Sequence, residues 1–535
     1  MGARLAPPEG ADYVPNPVRV FLNHPKVALP TTLLDAPVGM LTLLNAGQDA
    51  LPESLRAPPQ DAKTLASWLY YAAGETKHAA GRHSTWNRPF PDADATFPFE
   101  IYVAAFAVKG IEPGLYHFCP REFALRRLRE GAAPLLQIKR GRPDLEFLKT
   151  LPAAILVAAN YWKAVYRYRR RAYRAMLIHA GQMVQNVISA GAGLGIQTVT
   201  RLRMNDSNMR ELIGCPLDEP LATAESVLAM VAWADRAVAP IQIPAGAATV
   251  PMPAIVRPQL SVKVLEDEAS TEPLFVHHDC VAPGVAVREI HPPLTELSPL
   301  PPQFRAARMP FDDDLEGSQG GLPVRAVMTE RRSVLAMAKN HNIPRNALVA
   351  INRVAFRGGS FFPMFPDGPH VATIRPFWIL HEVMGFDPGI WYYHPPADTW
   401  GILRPSAGQS RDGRFRREAR YIAGDLDAFG DAAAVCVMTA NLHALLTQGG
   451  PDAYRLAHLE AGIAAQRIYL AATALGLGTV VSQTYYDDDC RNFLALNKTG
   501  WEVLALVAIG RPGNPAAAQF DQQVNATAQT YFHHG

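Results

Sequence analysis

The chain has 535 residues, 48% of them apolar and 19% charged, with a formal net charge of +2. That length implies two or three domains, and the near-neutral balance argues against a dedicated nucleic-acid surface. No apolar run of about 18 residues is present to cross a membrane.

The opening residues, MGARLAPPEGADY, lack the apolar core of a secretion signal and the Ser or Thr of a myristoylation motif. A cytoplasmic location is expected. The five cysteines (Cys119, Cys215, Cys280, Cys436, Cys490) are scattered and form no C-x-x-C pair, so neither a zinc site nor a disulfide framework is supported. His277-His278-Asp279-Cys280 has metal-ligand chemistry, but adjacent residues rarely point at one ion and no second cluster completes it. No metal is expected.

Residues 1–60 are punctuated by proline and are expected to wrap over the surface. A helix is predicted over 61–73, with Asp61 as its cap. Residues 101–108 read as a buried strand, 110–114 as a turn and 115–118 as the returning strand. A third buried strand follows at 154–159, then a long helix at 172–192, a strand at 196–202 and an apolar segment at 226–234. Pro240, Pro244, Pro251, Pro253 and Pro258 mark 236–260 as a semi-rigid linker.

The second half repeats this order. Residues 453–487 align with 172–206 without a gap, at a shift of 281 and with twelve identities in 35 positions, among them Tyr173/Tyr454, Arg174/Arg455, Gly181/Gly462, Gln185/Gln466 and Asp206/Asp487. Strands at 377–380, 390–393, 433–438, 479–481 and 503–509 complete the second copy. The chain is therefore a duplication, expected to be α+β, with a mixed sheet and long helices in each copy. The expected domains are 1–235 and 261–535. The small residues of the long helices point to an internal pseudo-dimer with those helices at the interface.

The strongest candidate for chemistry is Glu330-Arg331-Arg332-Ser333, predicted to open a helix, where two guanidiniums and a hydroxyl would suit a phosphate. A solvated basic turn is the competing reading. Arg511, just past the last strand, is a second cation for the same place. Gly191-Ala192-Gly193-Leu194-Gly195 is no dinucleotide fingerprint, because its glycines end a helix instead of joining a strand to one.

The order of Arg-Arg-Ser, a strand, Gly385-Phe386-Asp387-Pro388-Gly389, then Tyr454-Arg455, Ala461-Gly462, Gln466 and Gly476-Leu477-Gly478-Thr479 resembles the FMN-dependent nitroreductase superfamily. It is most similar to the SagB/ThcOx-type dehydrogenases, the thiazoline and oxazoline oxidases of modified-peptide biosynthesis. The resemblance covers roughly 60–235 and 320–515. It implies two fused nitroreductase-like domains and FMN at their interface, with Arg331, Arg332 and Ser333 on its phosphate and Gly476, Leu477 and Gly478 against the flavin. The first copy carries no Arg in its corresponding region, 39–44, and has Gly195-Ile196-Gln197 at the turn. A family loop that reaches the flavin from the partner subunit matches Pro91–Glu100: Pro91, Ala95, Pro98 and Glu100 hold, whereas its Ser and Gly have become Asp92 and Asp94. Aspartate there would repel a reduced, anionic flavin ring.

The peptide oxidases of the family use a Lys-Tyr pair before this helix, which matches Arg167-Tyr168. Arg does not deprotonate in proteins, so Arg167 is left to stabilise charge and Tyr168 to carry the proton, activated by surrounding cations. A basic, aromatic helix start that binds an acidic peptide or faces solvent is the competing reading. The resemblance implies two-electron dehydrogenation of a peptide-derived or small-molecule substrate, with oxygen as electron acceptor and other enzymes of a biosynthetic complex as partners. Two alternatives stay open: an NAD(P)H-dependent nitro or quinone reductase, and a flavin-free binding subunit of a peptide-modifying complex.

Overall fold

The computed structural model describes residues 18–78, 86–91, 97–131, 133–140, 143–168, 171–215, 225–234, 254–256, 321–356, 373–406, 413, 415–497 and 499–513. The expected linker lies almost wholly outside them, as does 277–280. No helix among the described residues is long and apolar enough to cross a membrane, and no cluster of metal-ligating side chains occurs among them.

The first copy is built on a seven-stranded sheet of β1 (Lys26–Ala28) and β4 to β9. These six are β4 (Phe99–Ala105), β5 (Gly114–Cys119), β6 (Ala124–Glu130), β7 (Ala153–Asn160), β8 (Thr198–Arg201) and β9 (Glu225–Trp233). Between β1 and β4, β2 (Lys77–His78) and β3 (Trp86–Asn87) pair only with each other. The spatial order is β1-β6-β5-β4-β7-β9-β8. In the second copy β10 (Arg375–Leu380), β11 (Gly389–His394), β12 (Thr399–Pro405), β13 (Ala434–Asn441), β14 (Gly478–Ser482) and β15 (Trp501–Gly510) form a sheet ordered β12-β11-β10-β13-β15-β14. Apart from β1, the two orders are the same. The duplication is one of topology as well as of sequence.

The sheets are not mixed. Each pair of neighbouring strands in them runs antiparallel. The long helix after β7 does lead to a strand parallel to it, β8, as a crossover should. However, β9 inserts between the two and pairs with both. The same insertion of β15 separates β13 from β14.

Local rules account for most elements. Asp61 caps the helix Ala62–Ala73 by accepting the Thr64 N–H at 2.9 Å. The Glu-Pro-Gly and Asp-Pro-Gly turns return the chain into β5 and β11. The N-terminal region departs from the expected surface wrap: helix Met40–Ala46 buries Met40, Leu43 and Leu44, because its start is stitched to the second copy. Gly39 bridges Pro323, and the Met40 N–H donates to the Leu322 carbonyl at 3.0 Å.

The long helices are Ala172–Gly193 and Asp452–Ala474. The first buries every residue except Arg174, and the second all but Asp452, Tyr454 and Thr473. Helices that are apolar around their circumference have to be enclosed, and these two enclose each other. Gln185 Oε1 accepts from Arg467 Nε at 2.9 Å, and Gln466 Nε2 donates to Asn186 Oδ1 at 2.9 Å. At the shift of 281, Gln185 corresponds to Gln466 and Asn186 to Arg467. Each pair is thus the image of the other, as an isologous two-fold contact requires. The halves form a pseudo-dimer inside one chain.

Candidate functional site

Arg331 lies at the end of a helix, not at its start. The helix is Val324–Glu330, opened at Pro323, and the Arg331 N–H closes it on the Val327 carbonyl at 2.9 Å. The expected support from a helix N-terminus is therefore absent at these residues; cations here complement the carbonyl end of the helix. Arg332 does so directly, with Nη1 on the carbonyls of Thr329 (3.1 Å) and Arg331 (2.6 Å).

Beyond that helix the chain lies along the sheet edge. Ser333 bridges Thr479 in parallel, and the Val334 N–H donates to the Thr479 carbonyl at 2.8 Å. Further on, Met337 bridges Pro512 and the Ala338 N–H donates to the Arg511 carbonyl at 2.8 Å. Since β14 and β15 pair Gly478 with Gly510, one seam brings together Ser333, Gly478 and Arg511. Arg332 and Ser333 are half-buried and Arg511 is exposed. The Tyr469 hydroxyl ties the seam to the long helix by accepting the Val481 N–H at 2.9 Å and sharing a hydrogen bond with Ser333 Oγ at 3.2 Å.

The turn entering the seam ends the second long helix. Gly476 has φ +71°, the Gly476 N–H donates to the Thr473 carbonyl (3.0 Å) and the Leu477 N–H to the Ala472 carbonyl (2.8 Å). This is a Schellman end, which needs a left-handed residue. The first copy makes the same turn, with Gly195 at φ +83° and its N–H on Ala192. What surrounds the two turns differs. Among the described residues nothing lies within 4 Å of where a Cβ on Gly476 would stand. A Cβ on Gly195 would stand 1.8 Å from the Leu55 carbonyl oxygen. The short helical turn Glu53–Leu55 and Arg56 fill that place, with the Ala57 N–H on the Gly195 carbonyl at 3.2 Å. Arg56 holds the plug in shape by donating to the carbonyls of Leu51 (3.0 Å) and Asp49 (3.1 Å).

The first copy's counterpart of Arg331-Arg332-Ser333 is Gly47-Gln48-Asp49. Helices Met40–Ala46 and Val324–Glu330 have equal length and are entered at the bridged pair Gly39 and Pro323, so the residues after them correspond. This corrects the assignment to 39–44. It leaves the conclusion intact, because no Arg stands at 47–49 either.

Tyr168 ends the helix Tyr161–Tyr168 and is buried. The side chain of Arg167 lies outside the described residues. The Tyr168 hydroxyl is 2.8 Å from Nε2 of His179 on the first long helix, and His179 Nδ1 is 2.9 Å from Gln182 Oε1. An amide oxygen only accepts, so Nδ1 carries the imidazole proton and Nε2 accepts from Tyr168. Burial pushes His179 down to about 4, which keeps it neutral. A neutral imidazole is thus one hydrogen-bond partner of Tyr168; of the cations expected around it, the side chains at 167, 169 and 170 lie outside the described residues. Arg171 and Arg174 face instead the Asp487 carboxylate of the second copy, at 2.5 and 2.7 Å. His179 was missed in the sequence because one His in an apolar helix reads as core; the available signal is Tyr168 eleven residues earlier.

At the position equivalent to His179 stands Glu460. Its carboxylate accepts the Thr373 N–H at 2.8 Å and the Thr373 hydroxyl. Burial pushes it up to about 7, with the Thr373 hydrogen bonds pulling the other way.

Comparison with known proteins places this architecture. The nitroreductase family model matches residues 61–232 and 398–511, more than half of the chain and both copies of the unit. The chain belongs to the nitroreductase family. Among curated members it is 30% identical over 130 residues to MJ1384 of Methanocaldococcus jannaschii, provisionally named a nitroreductase, covering 23% of this chain and 62% of that protein. It is 26% identical over 114 residues to the microcin B17-processing protein McbC of Escherichia coli, covering 21% and 42%. The match thus spans less than two thirds of either relative. A crystal structure from Anabaena variabilis, described as a nitroreductase, shares the fold at a TM-score of 0.65 and 21% identity, covering 92% of this chain and 95% of that one.

Of the residues expected to hold a flavin, Arg332, Ser333, Gly476, Leu477, Gly478 and Arg511 lie on or beside the seam. Ala95, Asp92 and Asp94 lie outside the described residues. Pro91 is buried, two residues beyond a backbone carbonyl that Arg331 holds. The seam fits a nitroreductase-type flavin: open space beside the Gly476 turn, the exposed Arg511, the half-buried Arg332 and a hydroxyl for a phosphate. The equivalent place in the first copy does not, because its own chain fills it.

Proposed function

We propose that the chain is an FMN-dependent oxidoreductase that takes one flavin, at the seam of the second copy, and dehydrogenates a peptide-derived substrate, azoline to azole in type. The contrast between the open Gly476 turn and the Gly195 turn plugged by Leu55 carries this reading. The similarity to McbC, a protein named for processing microcin B17, favours a peptide-derived substrate. Partner enzymes of a peptide-modifying complex follow from the same likeness.

A flavin supplies hydride acceptance. This chain's residues supply the rest. Arg331, Arg332, Ser333 and Arg511 would bind the phosphate, and the open space beside Gly476 would let the ring approach backbone closely. Tyr168 holds a proton at its hydroxyl, aimed at His179 Nε2. A neutral imidazole so weakly basic does not take that proton outright. It orients it, which fixes the direction of the tyrosine oxygen's lone pairs.

The deciding experiment is the absorbance spectrum of freshly purified protein, with released flavin quantified per chain. About one FMN per chain supports the proposal. About two overturns the single-site reading, and none, even after soaking with FMN, favours a flavin-free binding subunit. Consumption of NAD(P)H with a nitroarene, without turnover of azoline peptides, would favour a reductase.

A further inference from the structure

Helix Tyr161–Tyr168 begins in a knot of buried charge. Lys163 Nζ donates to Glu100 Oε1 at 3.0 Å and to the Phe97 carbonyl at 3.2 Å. The other Glu100 oxygen accepts from His117 Nε2 at 2.9 Å. Asn160 caps the same helix, its Oδ1 accepting the Lys163 N–H at 3.3 Å, and its own N–H donates to the Pro98 carbonyl at 2.7 Å. The first turn of the helix is thus sewn to residues 97–100 through both Asn160 and Lys163. Phe97 stands at φ +44°, a region that a bulky residue rarely adopts and keeps only where its surroundings fix it.

The second copy keeps the cap and lacks the ion pair. Register identifies the equivalents: Glu100 pairs with Ala158 as Arg375 pairs with Thr439, and Asn160 pairs with Glu225 as Asn441 pairs with Trp501. Lys163 becomes Ala444. Asn441 still caps its helix, accepting the Ala444 N–H at 3.0 Å. That helix, Leu442–Gly449, ends on Gln448-Gly449 where the first copy has Arg167-Tyr168. The fold therefore needs the cap and does without the pair. The pair accompanies Tyr168.

The anchors of this segment have also been exchanged. In the second copy the long helix holds it, through Glu460 on the Thr373 N–H at 2.8 Å. The equivalent of Thr373 is Pro98, which has no N–H to give. The equivalent of Glu460 is His179, which faces the Tyr168 hydroxyl at 2.8 Å. Lys163 thus does in the first copy what Glu460 does in the second, and the long-helix position is left to Tyr168. A buried ion pair adds little stability over a well-packed apolar one; fixed geometry is what remains for it to supply.

We propose that Lys163 is a positioning residue for Tyr168: by joining the Phe97–Glu100 segment to the first turn of helix Tyr161–Tyr168, it sets where the Tyr168 hydroxyl stands. Its effect on turnover rests on the dehydrogenase reading above; the joint itself needs no flavin.

The test uses the full chain with its flavin, as wild type, Lys163→Met, Lys163→Arg and Lys163→Met combined with Glu100→Gln. The His179 imidazole nitrogens, read by NMR in a labelled sample, report the Tyr168 hydrogen bond, and Tyr168→Phe gives the signal of its loss. Turnover is read with a synthetic peptide carrying one thiazoline, and released FMN per chain is measured alongside. Lys163→Met should move the His179 signal toward that of Tyr168→Phe. It should also lower kcat about tenfold or more, the scale on which small misplacement of a reacting group acts, with KM and FMN content little changed. Lys163→Arg, which keeps a charged donor on a long stem, should recover most of both. The double variant leaves no carboxylate stranded, so it should regain the stability that Lys163→Met loses and still show the moved signal and the low kcat. It also carries the test should Lys163→Met not fold. A double variant with the wild-type His179 signal and kcat would overturn the proposal and reduce Lys163 to a counter-ion of Glu100. If the wild type takes up no FMN or turns over no thiazoline peptide, the dehydrogenase reading falls, and the His179 signal still decides the joint.

Discussion

Gly181 and Gly462 face each other across the pseudo-two-fold axis, each occupying the space that a side chain on the other would need. A Cβ on Gly181 would stand 2.1 Å from the Leu459 carbonyl oxygen and 2.9 Å from the Gly462 Cα. A Cβ on Gly462 would stand 2.0 Å from the Ile178 carbonyl oxygen and 2.9 Å from the Gly181 Cα. Ile178 and Leu459 are themselves equivalent, so the two contacts are mirror statements of one geometry. The long helices pack backbone to backbone here, which brings Gln185 and Arg467 into hydrogen-bond range a turn later.

Either glycine replaced by alanine should force the helices apart. The expected cost is about 1–3 kcal/mol, typical of overpacking a closed core, read as a lower midpoint in urea unfolding. The double variant should cost less than the two singles added together, because one separation relieves both clashes. Full additivity in the double variant would show that the two sites do not share a contact.

The two helix-end glycines give a second comparison. Gly195→Ala meets the Leu55 carbonyl at 1.8 Å and also strains a residue at φ +83°. It should therefore destabilise the fold by about 2–4 kcal/mol while leaving flavin content per chain unchanged. Gly476→Ala carries only the strain of φ +71°, about 1 kcal/mol, since its Cβ meets no described atom within 4 Å. Its larger effect should be on FMN affinity, because the methyl would take up the open space in which the proposed flavin would sit. Thermal unfolding and flavin titration on both variants separate these outcomes. An unchanged FMN affinity in Gly476→Ala would mean that the turn does not touch the cofactor.

Much of this architecture is legible in local sequence. The Asp61 cap, the Glu-Pro-Gly turn and the small-residue helices each follow from a rule acting over a few residues, and the repeat makes each one visible twice. The N-terminal helix at Met40 was not legible, because seven residues carry too little periodicity and their burial depends on Gly39 meeting Pro323, 284 positions away. The Arg331 triplet was assigned to the wrong end of its helix for a similar reason: Val324–Glu330 is equally short, and Pro323 before it was the overlooked start signal. Likewise, nothing near Arg331 announces that it donates to the carbonyls at 88 and 89, and nothing near Gly195 announces the Leu55 plug. Those are consequences of docking two copies that have diverged.

The Tyr168–His179 pair predicts a titration. His179 falls from an ordinary imidazole value to about 4 in the folded chain. Stability from this group is thus present above about 6.5 and lost as pH falls through 4. Tyr168→Phe removes the donor that Nε2 accepts, which removes support for the neutral ring and leaves a buried acceptor without its hydroxyl. The variant should be less stable by about 1–3 kcal/mol, and its His179 should protonate at a higher pH than in the wild type. Urea unfolding measures the first, and imidazole nitrogen shifts in a labelled sample measure the second. An unmoved His179 titration in Tyr168→Phe would show that the hydrogen bond does not hold the tautomer.

Glu460 supplies the opposite sign at the equivalent position. Its folded value is raised to about 7 from an ordinary 4.5, chiefly by burial. A raised value means that the folded chain binds a proton which the unfolded chain has released. The stabilisation is therefore complete below about 4.5 and is lost as pH rises through 7, by about 3 kcal/mol in all for a shift of this size. Glu460→Gln keeps the shape and an oxygen for the Thr373 N–H, and its amide can donate to a Thr373 hydroxyl that has rotated. It should show no such loss, so the stability difference between variant and wild type should widen in the variant's favour from pH 5 to pH 8. Urea midpoints at the two pH values measure this. A difference that stays constant would mean that Glu460 ionises at its ordinary value and that Arg467, whose guanidinium is fully buried and feels the Glu460 charge, compensates its burial completely.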